Sequence, residues 1–375
     1  MINDINSANS GIKSEEASAF PWKKLFIFSG ILLFVIIVII IIIIILTKKS
    51  SNNKKDDINP DEQEDIPDIG RIICNYNENN GNIQILSEYF IKNSDFDIYI
   101  NGKKVKYSKV YDLISYGTNK VELRLYSDLN MHNMFKDLSL LTSVEMISSN
   151  DTKILSMIST FENCHNLEYF SISGFSGNEI KSMKKLFYNS KLQNFNFYNF
   201  TTNNLEDVSY MFSSTSFNKL EFPNIITENV FDMSYLFTNC SSLNELDISN
   251  LNSAKTQNMS HIFEGLLQIR ELYLFNLETK TVKDMSYMFK NCVNLNKVEL
   301  TAFNTELVID MSHMFDECNK LFSLDLGNFV TKNVKNMSYM FKDCLKLTSV
   351  NLDNFDISEV EDMSEMFYAC DDKKR

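Results

Sequence analysis

Met285-Ser286-Tyr287-Met288-Phe289, Met311-Ser312-His313-Met314-Phe315, Met337-Ser338-Tyr339-Met340-Phe341 and Met363-Ser364-Glu365-Met366-Phe367 are four copies of one pattern, and the interval between them decides the fold. Counting backward, the same slot opens at Met259, Met233, Val208, Met183, Met157 and Met131, with steps of 26, 26, 25, 25 and then 26 five times. A fixed period of this length marks a stacked solenoid, in which no single unit buries its own apolar face and each leans on its neighbours. Such a stack offers a long surface, which suits recognition better than catalysis.

Within the copy that starts at Asp310, residues Met311, Met314, Phe315 and Cys318 fall at i, i+3, i+4 and i+7, the spacing of one apolar stripe on a short helix. Asp207, Asp232, Asn258, Asp284, Asp310, Asn336 and Asp362 precede the slot, and Asp and Asn are strong N-caps. A helix of about two turns is predicted there, too short to stand alone in water. Next comes Leu321-Phe322-Ser323-Leu324-Asp325-Leu326, whose alternation is that of a strand with one buried face. An Asn-Phe turn follows, as at Asn328-Phe329, and Asn recurs there at Asn199, Asn224, Asn250, Asn276 and Asn354, as an amide ladder requires. The sequence therefore predicts an α/β solenoid, leucine-rich-repeat-like, with one short strand and one short helix in each of about ten coils over residues 129–375. The two 25-residue steps, after Met183 and Val208, predict a local kink or tightening.

The outward residue between the last two strand anchors forms a column containing Glu221, Asp247, Tyr273, Glu299 and Asp325. Stacked ~4.8 Å apart, these are the candidate ligand-binding residues, suited to a basic peptide or a divalent ion, with a solvated polar face as the competing reading. Six of the seven cysteines occupy one repeat slot, which elsewhere holds Leu, Ser or Thr. That pattern favours small buried thiols; disulfides between neighbouring coils are the alternative, and the spacings of a metal site do not occur. The four histidines are scattered, and neither a Ser-His-Asp grouping nor a Gly-rich phosphate loop is legible, so neither an enzyme nor a cofactor is expected. Asn150 and Asn239 are the more accessible of the N-x-S/T glycosylation candidates. A net charge of −13 argues against nucleic acid, which needs a basic face.

Residues 25–46 are almost wholly Leu, Ile, Phe and Val between lysine pairs, long enough at 1.5 Å per residue to cross a bilayer. The sequence thus predicts a single transmembrane helix after a short cytoplasmic tail (1–24). Lys13, Lys23 and Lys24 nearly balance Lys48, Lys49, Lys54 and Lys55 across it. A short tail before a large C-terminal domain fits a signal anchor in the plasma membrane with the repeats outside. The opposite orientation would make an endomembrane scaffold facing the cytosol. Residues 47–70 read as a flexible polar linker, and 71–128 as a small β module capping the solenoid, with Asn101-Gly102 as a hairpin turn. At the other end the sequence stops after the last Met-Phe segment, so either that short helix is the cap or the chain continues.

The repeat, L-x-x-L/V-x-L-x-x-F-x-T-x-x-V-x-D/N-M-S-x-M-F-x-x-C, resembles that of the BspA-type leucine-rich-repeat surface proteins across residues 131–370. Met131, Met157 and Met183 depart from it, since no Ser follows them. The resemblance implies a surface module that attaches to host proteins, other cells or extracellular matrix, and it supplies no binding residues to carry over. The expected partner is a protein ligand, such as an extracellular-matrix or host-cell surface protein.

Overall fold

The computed structural model describes residues 67–78, 81–112 and 117–370, within the unit Ile66–Arg375. Its first strands are antiparallel: β1 (Gly70–Glu78), β2 (Asn82–Gln84), β3 (Phe96–Ile100), β4 (Lys103–Val105), β5 (Val110–Asp112) and β6 (Gly117–Leu125). Phe96, Ile98 and Ile100 alternate inward along β3. Asn101 and Gly102 both have positive φ, 49° and 83°, the sign pattern of a type I′ turn, and β3 folds back on β4 with Ile98 opposite Val105. Strand β1 joins this module to the repeats. It pairs antiparallel with β6 on one side and with β8 (Leu141–Ser156) on the other, after the short β7 (Leu129–Asn130). Ile72, Cys74 and Tyr76 of β1 are wholly buried. The sheet then continues parallel through β9 (Tyr169–Ser176) and β10 (Asn194–Tyr198), in the order β10-β9-β8-β1-β6-β3-β4.

Each later coil carries a three-residue strand: β11 (Lys219–Glu221), β12 (Glu245–Asp247), β13 (Glu271–Tyr273), β14 (Lys297–Glu299), β15 (Ser323–Asp325) and β16 (Ser349–Asn351). They pair in twos, with Leu220 beside Leu246, Leu272 beside Val298 and Leu324 beside Val350. A second ladder runs through the residue before each Met. Parallel bridges link Ser182, Asp207, Asp232, Asn258, Asp284, Asp310, Asn336 and Asp362 without a break. The first interruption of the strand ladder, between β10 and β11, falls between the two 25-residue coils, where a cleft of about 320 Å³ opens beside Phe195, Phe217, Lys219 and Glu221.

The architecture is a β-solenoid, and the short helix expected in each coil is absent among the described residues. In the Met-Ser-x-Met-Phe segment, Tyr287 and Asn291 have φ of 60° and 58°, and the same left-handed turns recur at His313 and Glu317, and at Tyr339 and Asp343. Each is a conformation that ends a right-handed helix. The amides divide their bonds. Met288, Lys290 and Cys292 donate three residues back within the coil, while Met285, Tyr287, Phe289 and Asn291 donate across it to Asp310, Ser312, Met314 and Asp316. Every second N–H is thereby spent on the neighbouring coil, and no helical bond is left to make. Distance gives the reason. Packed helices need 8–10 Å between axes, whereas the Phe rings of successive slots lie 5.1–6.2 Å apart. A spiral of tight turns is thin enough to follow strand spacing; a helix is not. The Asp or Asn before the slot keeps a capping chemistry without a helix, since Ser286 N donates to Asp284 Oδ1 at 2.9 Å in an Asx turn.

Among the described residues no helix is long and apolar enough to cross a membrane. The 25–46 stretch and the tail before it lie outside the described residues. No described element therefore supports the transmembrane helix or the single-pass plasma-membrane assignment that rested on it.

Candidate recognition surfaces

The strand-face column forms in register, and two of its carboxylates, Asp247 and Asp325, are already employed. Glu221 stands opposite Asp247, Tyr273 opposite Glu299, and Asp325 opposite Asn351. Asp247 Oδ1 accepts the Ser249 amide at 2.9 Å, and that backbone bond holds its carboxyl below the ordinary value of 3.8. Asp325 Oδ1 accepts both Gly327 N at 3.0 Å and Asn351 Nδ2 at 2.9 Å. Tyr273, 49% exposed, donates its hydroxyl to Glu271 and lies under the Lys297 ammonium, 5.2 Å from the ring centroid. Lys219 pairs with Glu245 at 2.7 Å. The face is thus a charge-mixed, exposed ribbon. Among the described residues no group of three or more His, Cys, Asp or Glu is placed to hold a metal ion, so a divalent cation has no built site on this column.

The glycosylation candidates fall in different settings. Asn150 lies within β8. Asn239 is exposed, left-handed at φ 58°, with its Oδ1 where a Cβ on Gly265 would stand.

Where it holds Cys or Thr, the cysteine slot is a buried donor position; Leu138 and Leu266 fill it by packing alone. Cys74, Cys164, Cys240, Cys292, Cys318 and Cys344 are free thiols. Cys292 Sγ donates to Phe263 O at 3.1 Å, Cys318 to Phe289 at 3.2 Å and Cys344 to Phe315 at 3.1 Å, each reaching into the preceding coil. Burial pushes the Cys240 thiol up to about 11 and the Cys292 thiol up to about 12, which keeps both protonated as donors. At the same slot Thr215 Oγ1 donates to Phe212 O at 2.6 Å. A small side chain with one hydrogen to give accounts for both residue types.

A second face was not anticipated. The variable residue between Ser and Met is aromatic in six successive coils: Tyr210, Tyr235, His261, Tyr287, His313 and Tyr339. Their rings stack nearly parallel with centroids 4.1–4.6 Å apart. All six are half-buried and left-handed, with φ of 55–60°. A non-glycine residue pays about 1–2 kcal/mol to adopt that conformation. Each of the five stacked pairs returns about 0.5–1.5 kcal/mol, so the ladder at best offsets its own strain. Four residues on, the other left-handed position holds Ser214, Asn239, Gly265, Asn291, Glu317 and Asp343, none aromatic and four of the six types that adopt this φ easily. Charged partners alternate along the ladder: His261 Nδ1 lies 2.6 Å from Glu264 Oε2, and His313 Nδ1 lies 2.8 Å from Asp316 Oδ2. Lys290 and Lys342 approach the Tyr287 and Tyr339 rings, with Nζ 5.8 and 5.1 Å from the centroids. The signal was legible as an alternation of His-x-Phe-Glu/Asp with Tyr-Met-Phe-Lys every second coil.

An unbroken bridge ladder, a segmented strand ladder, a buried Phe stack and outward columns in register define a β-solenoid repeat protein. The repeats match the model of the family described as "Mycoplasma protein of unknown function, DUF285" at residues 129–225, 216–292 and 267–375, together about two-thirds of the chain. The chain belongs to that family. No curated protein and no solved structure matches it.

Proposed function

We propose that this chain is a non-catalytic recognition protein, whose stacked coils present outward side-chain columns to a protein partner in adhesion or protein–protein binding. The observation that carries this reading is the register. Glu221 with Asp247, Tyr273 with Glu299 and Asp325 with Asn351 repeat one outward position at strand spacing, on a backbone fixed by a buried core. Such a surface is preorganised, so binding costs little ordering entropy. The resemblance of the repeat to BspA-type leucine-rich-repeat surface proteins supports the same reading, as does the mixture of Tyr with short polar residues, which supply contact area and adaptable hydrogen bonds.

The test is photo-crosslinking with the full chain carrying a crosslinker at Glu299, incubated with extracellular-matrix and host-cell protein extracts. A discrete protein adduct, lost when Asp247→Lys is introduced, is expected. Absence of any protein adduct from Glu299 and from other outward positions would refute the recognition reading.

A further inference from the structure

The Tyr–His ladder is a column whose side chains oppose the backbone beneath them, and stacking does no more than cancel that cost. Stability alone does not explain why aromatic rings rather than Asn fill it. Beside the ladder run the carboxylates of the unbroken bridge ladder. Asp232, Asp284 and Asp310 each commit Oδ1 to the serine amide two residues on, at 2.8–2.9 Å. Among the described residues no ion pair reaches these three or Asp207, whereas Lys290 on the same face is held by Asp316 and Glu317. Asp316 adds an independent sign. It is only 1% exposed, its Oδ2 serves His313 and Lys290, and its Oδ1 meets no donor. The face therefore holds rigid, half-buried rings, an orphaned acceptor and carboxylates without a cationic partner, although Asp207 Oδ2 accepts Ser182 Oγ at 3.0 Å and Asp310 Oδ2 accepts Asn336 Nδ2 at 3.4 Å.

The carboxylates have a spacing. Asp207 bridges directly to Asp232, and Asp284 to Asp310, with Asn258 between the two pairs. Carboxylates ~4.8 Å apart suit the planar fork of one guanidinium better than the point charge of one ammonium. From the centre of one pair to the centre of the next is three coils, ~14 Å at strand spacing, and four residues of extended chain rise ~13–14 Å with both side chains on one face.

We propose that this face binds an extended segment of a partner protein running along the stack, with two arginines four residues apart, one on Asp207/Asp232 and one on Asp284/Asp310, lying against the edges of Tyr235, His261 and Tyr287. This rests on reading the chain as a recognition protein and assigns it a face and a ligand class.

The test uses the full chain and fluorescently labelled, threonine-rich nonapeptides carrying two arginines at a separation of four, two arginines at a separation of three, or two lysines at a separation of four, read by anisotropy at low and physiological salt. The four-spaced arginine peptide is expected to bind at least tenfold more tightly than either control, and more weakly as salt rises. Asp232→Asn with Asp284→Asn is expected to weaken it at least tenfold without lowering the melting midpoint, because Asn already fills this slot at Asn258 and Asn336. Tyr235→Asn with Tyr287→Asn is likewise expected to lose binding while the fold persists. Equal binding of all three peptides, no binding of any, or indifference to the Asp→Asn pair would overturn the proposal. If a Glu299 crosslink still captures a protein in that case, only the ladder assignment has failed; if it does not, the recognition reading has failed with it.

Discussion

Phe315→Ala tests the stacked-coil reasoning most directly. Phe315 is wholly buried, with its ring between those of Phe289 at 5.3 Å and Phe341 at 5.7 Å, tilted by 12° and 3°. Truncating a buried Phe costs about 3–5 kcal/mol through lost transfer energy and the cavity left behind. Because two aromatic contacts vanish at once, each worth about 0.5–1.5 kcal/mol, the upper half of that range is expected. The loss should spread. Phe289 N is bonded to Met314 O and Phe315 N to Met340 O, so both neighbouring coils share bonds with the damaged one. In a nearest-neighbour stack, weakening one coil weakens its two interfaces. Urea unfolding followed by far-UV circular dichroism gives the total, and amide hydrogen exchange shows where it falls. Protection should drop at residues 285–292 and 337–344 as well as 311–318. The outward Tyr273→Ala serves as control and should stay within about 0.5 kcal/mol. A Phe315→Ala loss under about 1 kcal/mol, or lost protection confined to 311–318, would refute the cooperative stack.

Replacing Asp284 by Ala removes the acceptor for Ser286 N at 2.9 Å and Ser286 Oγ at 2.7 Å and should cost about 1 kcal/mol, whereas Asn should be nearly neutral; paired urea titrations separate the two. Gly174→Ala should destabilise more than Gly265→Ala. Both glycines have φ near +70°, but a Cβ at 174 would meet the Ser148 backbone carbonyl at 1.9 Å, while at 265 it meets the Asn239 side chain at 2.3 Å, and side chains yield more readily than backbone; thermal melts give the order. Stability should fall as pH rises through the thiol range. The unfolded chain releases thiol protons near the ordinary 9.0 and the folded chain holds Cys240 until about 11, so this contribution is complete below pH 9 and lost between 9 and 11. For a fully buried thiol that is roughly 3 kcal/mol, and Cys240→Ser should flatten the decline in urea midpoints measured from pH 8 to 11.

The core was legible in the repeat, but its secondary structure was misread, for a reason contained in the numbers. Met285, Met288, Phe289 and Cys292 are all fully buried, as their i, i+3, i+4, i+7 spacing requires. That spacing belongs equally to a helix of 3.6 residues per turn and to a spiral that reverses through a left-handed residue every fourth position. Periodicity fixes which side chains face inward and leaves the backbone path open. What separates the two is the distance between copies, which a single repeat does not reveal. Leu324 with Leu326 and the turn at Asn101-Gly102 were readable because alternation and a two-residue turn are local properties. The pairing of β1 with β8 was not, since it joins residues some 70 positions apart through no shared motif.

For the recognition surfaces, the sequence directed attention to the strand column because leucine-rich patterning makes it conspicuous. There Asp247 and Asp325 bind their own turns, and an acid that caps a turn is less free to bind a partner. The aromatic ladder escaped notice because a variable position between Ser and Met reads as solvent-facing filler. Its significance depends on φ, which no residue type announces: Tyr at 287 is unexceptional in a helix and strained in a left-handed turn. Six coils in succession accept that strain where Asn is the easier choice, whereas four residues later, where the backbone makes the same demand, Asn, Gly or Asp is taken at Asn239, Gly265, Asn291 and Asp343, and Ser214 and Glu317 are not aromatic either. The contrast between these two slots, matched in conformation and opposed in composition, is the strongest reason to look for a ligand on the ladder side of the stack.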